Sequence, residues 1–428
     1  MIYAAKPIQI SKKLLLHLLY FLPALLFCVC IRIIRPFRII QVGTFSTYRI
    51  GHFVMDTIRV YRELLKPKYA KKAKIFIWLP ENTANETWRA LTQKHFKKIS
   101  YFHCTDIIKY IAFWNQILPC SKAHVFNANQ YLGVLHANEN KGNENKNLWS
   151  NMWREELWTK DSEKFEFSKE QDDLAKQILR QKGWSNNQPI VCFLIRDKAY
   201  LNTEPTLRNI CDWSYHDFRD IPQELFVSSI QYFIERGAYV LRMGKFMERQ
   251  LTYKHQFYLD YAFSDIRSDF MDAWLFSNCD ICVTTGSGPD MIPALNGKFT
   301  IVIYNQLNYA TEYMCGVGVY LPRSVYRKTD GVSLKPDDVL SSQVLWEGNG
   351  ATIDSKDLAF SALSEDLILA TIKEGWSRWS GIWSEEDDEI AIKERFHKIF
   401  DEHPMVKCLQ TNRNPHFHFS LQWLKAST

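Results

Sequence analysis

The sequence predicts an α/β protein built on parallel sheet, and three observations predict it. The stretch Cys279–Tyr304, CDICVTTGSGPDMIPALNGKFTIVIY, reads as strand, glycine turn, short helix, strand, which is a βαβ unit. PIVCFLI at Pro189–Ile195 is a short continuous apolar run, the pattern of a strand buried on both faces, and PFRIIQV at Pro36–Val42 reads as a first core strand. Each of these runs opens its own series of strands alternating with helical patterns.

The first element is the apolar run Leu14–Ile34. Lys12 and Lys13 precede it, and Arg32, Arg35 and Arg38 lie within and after it. A spanning helix needs about 20 apolar residues. The run reaches that length, but His17, Pro23 and Arg32 interrupt it, and cations on both sides leave an orientation undecided. A cleaved signal peptide needs small residues at a cleavage site, and none stands out after the run, so a cleaved signal peptide is not the expectation. Two readings stay open: a basic-flanked helix in or on the inner face of a membrane, peripheral or anchored, and a helix buried in the fold. The first is the expectation for residues 1–35.

Residues 36–185 form the first strand–helix series. After Pro36–Val42 come a turn, a helix over Phe53–Leu65, a strand at Lys74–Leu79, helices at Thr87–Phe96 and Ile107–Ile117, and a short strand at Ala123–Phe126. Residues 127–147, rich in Asn, Lys and Gly, read as a loop, and Ser168–Lys182 as a helix. Residues 186–350 form the second series: strands at Pro189–Ile195 and Ala238–Arg242, helices at Pro222–Arg236 and Phe270–Ser277, and then the βαβ unit. Residues 351–428 read as a helical extension, whose acidic run Glu385–Glu389 is a solvated helix start. Two such series suggest two Rossmann-like domains facing a cleft.

Composition narrows the function classes. A chain of 428 residues has room for two full cores. A net charge of +6, without a long basic block, suits contact with phosphates or anionic lipid and gives no nucleic-acid footprint. Aromatic residues at 14% serve either sugar-stacking surfaces or a rich core. Of ten cysteines only Cys279 and Cys282 make a C-x-x-C, and no second pair completes a zinc site. Buried free thiols in a reducing cytoplasm are expected.

Several residues are placed to carry chemistry. In the turn Thr285-Gly286-Ser287-Gly288, backbone N–H groups precede a helix opened by Pro289, a setting for a phosphate. The same turn can be merely tight. Gly286 and Gly288 lack the third glycine of a dinucleotide fingerprint, and Thr285 breaks the hydrolase elbow. Arg196 follows a strand directly, where a cation points into a ligand crevice and can hold two phosphate oxygens, or else pairs with Asp197. Arg242, followed by Gly244, repeats the pattern. Asp269, after the N-cap Ser268, either caps its helix or meets a sugar hydroxyl. In the turn after the first strand, Arg49, Gly51 and His52 stand together. His52 is either a general base or a helix cap, and Asp56 is a second candidate for the base. No strand-flanked Asp-x-Asp is present, so a carboxylate-held metal is not suggested.

Read in order, RIGHF (Arg49–Phe53), LIRD (Leu194–Asp197), VLRMG (Val240–Gly244), SDFMDAWL (Ser268–Leu275), TTGSG (Thr284–Gly288) and PALNGK (Pro293–Lys298) resemble a bacterial family of glycosyltransferases from surface-polysaccharide gene clusters. That family is similar in outline to two-domain GT-B enzymes, and distantly to fucosyltransferases with an H-x-R motif. The resemblance covers roughly Arg38–Asn305. It implies a GT-B-like fold, a nucleotide-sugar donor, a glycan or lipid-linked acceptor, and no bound metal or other cofactor. Relatives commonly carry His two positions before the Arg, where this chain has Leu194. On this reading Arg196, Arg242, Gly244, Asp269 and Thr285–Gly288 attend the donor, and Arg49, Gly51, His52 and Asp56 the acceptor. Two alternatives stay open: a non-catalytic nucleotide-sugar or glycan-binding module, motivated by Leu194, and a nucleotide-sugar epimerase on the same fold.

Overall fold

The structure is a computed structural model. It describes residues 6–45, 47–54, 56–57, 73–78, 83–95, 99–102, 105–126, 165–205, 207–208, 212–303, 316–335, 338–339, 350–402 and 415–427. The chain divides into two compact units, Met1–Asn138 and Glu139–Thr428.

The smaller unit holds a parallel sheet of four strands, β1 (Ile39–Thr44), β2 (Ala73–Trp78), β3 (Ile99–Phe102) and β4 (Val125–Phe126), in the order β3-β2-β1-β4. The sequence anticipates β1, β2 and β4 but not β3. Expected residues 58–65, 79, 96 and 127–147 lie outside the described residues. The N-terminal run forms the helix Lys6–Ile33. It packs on the helix Thr105–Ile117 through Ala24, Cys28 and Ile111, with Val42 of β1 in the same cluster. The Phe21 and Trp114 rings meet with centroids 4.7 Å apart. Trp114 also donates its indole N–H to the Phe21 carbonyl over 2.9 Å, so burial of the ring leaves no polar group unmatched there. Among the described residues no helix is long and apolar enough to cross a membrane. The side chains of Lys6–Leu18 fall outside that description.

The larger unit is built on a seven-stranded sheet in the order β13-β10-β9-β8-β5-β6-β7, with every pairing parallel. Its strands are β5 (Ile190–Leu194), β6 (Tyr239–Arg242), β7 (Tyr258–Leu259), β8 (Ile281–Thr284), β9 (Phe299–Ile303), β10 (Val317–Leu321) and β13 (Phe417–Phe419). Every residue of β5 and β8 is buried, as an unalternating apolar run requires when helices cover both faces. Burying a side chain such as Phe193 or Val283 contributes about 1.5–3 kcal/mol against exposure. Cys192, Cys279 and Cys282 are buried free thiols, and burial pushes the Cys192 and Cys282 thiols up.

Two departures from the sequence reading concern this unit. The helix expected over Pro222–Arg236 is split into a 3-10 turn, Gln223–Phe226, and an α-helix, Val227–Ile234. The region 351–428 is more than a helical extension: it returns β13 to the sheet, where Phe417 pairs with Gly318 of β10. The helix Glu365–Trp379 rests on β9 and β10, and Gly375 makes that seat possible. A Cβ at 375 would stand 2.4 Å from Ile301 Cδ1. A short antiparallel ribbon, β11 (Val325–Arg327) with β12 (Leu358–Phe360), completes the unit.

In both sheets the strand order reverses once. From β5 the chain steps to β6 and β7 on one side, then returns to place β8 on the other side of β5. From β1 it steps to β2 and β3, then returns to place β4 on the other side of β1. At such a reversal the connections leave in opposite directions and open a crevice beyond the carboxyl ends of the two strands.

Candidate functional site

In the larger unit the reversal lies where Leu194-Ile195-Arg196 leaves β5 and Thr285-Gly286 leaves β8. The two ends are stitched together. The Thr285 N–H donates to the Leu194 carbonyl over 3.1 Å, and the Arg196 N–H donates to Thr285 Oγ1 over 2.8 Å. This fixes the backbone from which the Arg196 side chain departs.

The glycine turn after β8 is held by its own residues. Gly286 takes φ +77, where a side chain would be strained, so glycine is required there. Its N–H donates to Thr284 Oγ1 over 3.1 Å. Thr284 Oγ1 donates in turn to Asp290 Oδ2 over 3.1 Å, and the Ser287 N–H reaches the same oxygen over 3.0 Å. The Gly286 carbonyl accepts from the Arg219 guanidinium over 2.5 Å. The sequence reading leaves the N–H groups of this turn open to an anion. In the structure those of Gly286 and Ser287 are already satisfied, by Thr284 and by the carboxylate of Asp290. Only a 3-10 turn, Gly288–Asp290, and a helix of five residues, Met291–Leu295, follow. Gly288 is exposed at the tip of the turn.

Arg196 is nearly buried and forms an ion pair with Asp220, a residue that closes the 3-10 segment Ser214–Arg219. The expected alternative partner, Asp197, instead accepts the N–H groups of Ala199 and Glu248. Burial pushes the Asp220 carboxyl up to about 6, against the pull of Arg196, with Asp217 and Asp197 adding to the rise. Burial likewise pushes Asp290 up to about 6, against its hydrogen bond from Thr284 and the Arg219 charge. Two guanidinium groups and two carboxyls poised near pH 6 thus share one end of the sheet.

Arg242 behaves differently from the expected donor ligand. It is fully buried at the end of β6, and its guanidinium meets both Asp260 oxygens at 2.7 Å and the Arg249 carbonyl at 2.8 Å. Asp260 also accepts the Leu251 N–H over 3.0 Å. The cation closes the turn 243–251 from inside. Gly244 lies in the same turn, where a Cβ would stand 2.6 Å from the Met247 side chain. Asp269 opens the helix Asp269–Asn278, capped by Ser268, which accepts the Met271 N–H over 3.2 Å. Arg267 meets Asp269 at 3.2 Å and Asp272 at 2.7 Å, so capping and ion pairing account for both acids.

In the smaller unit the turn after β1 carries Arg49, Gly51 and His52, all half-buried. They stand at the carboxyl end of β1, beside the reversal between β1 and β4. The turn is anchored by Phe45 and Phe53, both buried with ring centroids 5.8 Å apart, and by the Ala84 N–H donating to the Thr47 carbonyl over 2.7 Å. The Phe53 N–H donates to the Arg49 carbonyl over 2.9 Å and starts the helix. Asp56, one turn on, is fully buried and so does not share the half-exposed setting of His52.

Sequence reasoning missed Arg219, Asp220 and Asp290. The first two lie in a segment with no helical or strand periodicity. Asp290 had a legible signal: Ser287-Gly-Pro-Asp290 has the spacing of a residue that turns back on the start of its own helix. Among the described residues no group of three or more His, Cys, Asp and Glu side chains is placed to hold a metal ion.

No family model matches the chain, and no curated protein matches it. Among solved structures it is similar to a glycosyl transferase family 9 protein from Veillonella parvula, at 15% identity and a TM-score of 0.38, over 66% of this chain and 85% of that one. It is also similar to the E. coli ADP-heptose lps heptosyltransferase II, at 11% identity and a TM-score of 0.36, over 62% of this chain and 85% of that one. Likeness at that level adds nothing to the geometry described above.

Proposed function

We propose that the chain is a glycosyltransferase that takes a sugar from a nucleotide-sugar donor to a glycan or lipid-linked acceptor of surface-polysaccharide synthesis, without a metal. The observation that carries the reading is the meeting of Arg196, Arg219 and the Thr284–Asp290 turn at the strand reversal of the larger unit. A crevice at such a reversal is where open parallel sheets take nucleotide ligands. Arg196 would hold the diphosphate and stabilise the charge that develops on it as the sugar leaves. Arg219 and Asp290 would hold the turn, with Ser287 and Gly288 on its exposed side. The smaller unit would take the acceptor, with His52 as base on its hydroxyl. Arg242, Gly244 and Asp269 support the fold around the site. The test is calorimetry with a panel of nucleoside diphosphates, followed by donor turnover with the one that binds. An absence of binding across the panel refutes the reading.

A second reading is favoured by a specific observation. Arg196 is held in an ion pair with Asp220. That fits a non-catalytic module that binds a nucleotide sugar or a glycan. Binding of a nucleoside diphosphate without hydrolysis or transfer of any donor would select it. A sugar converted in place without an acceptor would select an epimerase instead.

A further inference from the structure

We infer that the outward face of residues 19–34, together with the end of the helix Thr105–Ile117, is a docking surface for an anionic lipid bilayer, with the segment 19–34 lying in the plane of the headgroups. The inference does not rest on the proposed transferase activity.

From Leu19 to Ile34 the exposed positions carry only apolar side chains. Leu19, Leu22, Leu26, Val29 and Ile33 form the stripe, and Ile33 is 68% exposed. Pro23, Cys30 and Ile34 widen it. A water-facing helix carries polar residues on that side. Arg32, the one residue of this stretch that is charged at neutral pH, is turned away. Its guanidinium donates to the Cys28 and Pro119 carbonyls at 2.8 and 2.7 Å and to Asn115 Oδ1 at 2.8 Å. Those last two partners lie at the carboxyl end of the neighbouring helix, so the cation satisfies carbonyls there and leaves the outer face uncharged.

The apolar face continues onto the second helix. Phe113 and Ile117 are 46% and 59% exposed, and the Phe113 ring meets Phe21 at 5.9 Å. A helix pairing with a second copy of itself needs a narrow apolar seam flanked by charges. Here the apolar surface spans two helices and has charges at its ends. Arg35 and Arg38 are exposed just past the stripe, beside Phe37 at 82% exposure, and Lys12 and Lys13 precede Leu14 in the sequence. Apolar side chains for the acyl boundary with cations for anionic headgroups is the chemistry of an interfacial helix. The opposite face of the first helix is held by Ala24, Cys28 and the Phe21–Trp114 contact, which fits a helix lying flat on its domain.

The test is flotation of the full chain with vesicles of phosphatidylcholine alone or with added phosphatidylglycerol. The wild-type protein is expected to float with the anionic vesicles and to do so less in high salt. Leu22→Glu with Leu26→Glu, and separately Phe113→Ser with Ile117→Ser, are each expected to lower partitioning about tenfold. Hydrogen exchange on the wild-type chain provides a measurement free of folding effects: amides of residues 19–34 should slow when anionic vesicles are added. Failure to float, unchanged exchange at those amides, or a dimer in solution that Leu22→Glu dissociates would each overturn the inference.

Discussion

The backbone N–H of Arg196 donates to the hydroxyl of Thr285 over 2.8 Å, across the gap between β5 and β8. Both residues are buried, so this bond joins the two strand ends where the strand order of the larger sheet reverses. Thr285→Val keeps the shape and removes the acceptor. A buried N–H left unmatched costs about 1–3 kcal/mol, and urea unfolding should show that loss, with Thr285→Ser close to wild type.

Arg196 and Asp220 should act in opposite directions on anion binding. Arg196→Ala is expected to weaken nucleoside-diphosphate binding by about 1.5–3 kcal/mol, the contribution of a charge-assisted bond. Asp220→Asn removes the competing carboxylate and should strengthen it several-fold. Calorimetry on folded variants checks both, and an Asp220→Asn protein that binds more weakly would reassign the acid to holding the site in shape.

The pH response follows from Asp220 and Asp290, both raised to about 6 from an ordinary 3.8. The folded protein holds these protons to a higher pH than the unfolded chain. Their contribution to stability is therefore full below about 4 and is lost as pH rises through about 6. Ligand binding follows the same sign: once the carboxyls ionise they offset Arg196 and Arg219. Affinity for a nucleoside diphosphate should be higher at pH 5.5 than at pH 7.5 by about tenfold at most. Asp220→Asn should flatten the profile, while the ligand's own phosphate ionisation acts equally on both proteins.

Activity, once a donor is found, should survive excess EDTA. The expectation comes from the sequence, which has no strand-flanked Asp-x-Asp to hold a divalent cation. Complete loss on chelation with recovery on adding Mg²⁺ or Mn²⁺ would contradict it.

Gly375 should tolerate no side chain. A Cβ there would be 2.4 Å from Ile301 Cδ1, on a helix that cannot lift without uncovering β9 and β10. Gly375→Val is expected to cost about 1–3 kcal/mol, read as a lowered denaturant midpoint.

What the sequence made legible was whatever its local pattern determines. PIVCFLI reads as a strand covered on both faces, and β5 is buried throughout. The turn Thr285–Gly288 was legible from its glycines, and Gly286 indeed takes the left-handed conformation. What escaped depends on partners far along the chain. A strand-ending arginine looks the same whether it turns outward or inward, and Arg242 turned to Asp260, which no spacing rule links to it. Asp220 reaches Arg196 from a segment without periodicity. β13 is three residues long and reads FHF among polar neighbours, so only its pairing with β10 defines it.

That last strand has a kinetic consequence. Phe417 pairs with Gly318, about a hundred residues back along the chain, and a loop of that length closes slowly compared with the local β8–β9 crossover. Until it closes, β10 presents an open strand edge to other molecules. Refolding from denaturant should therefore show a late phase in which the sheet is mostly formed yet self-association competes with completion, and dilution should favour the native product.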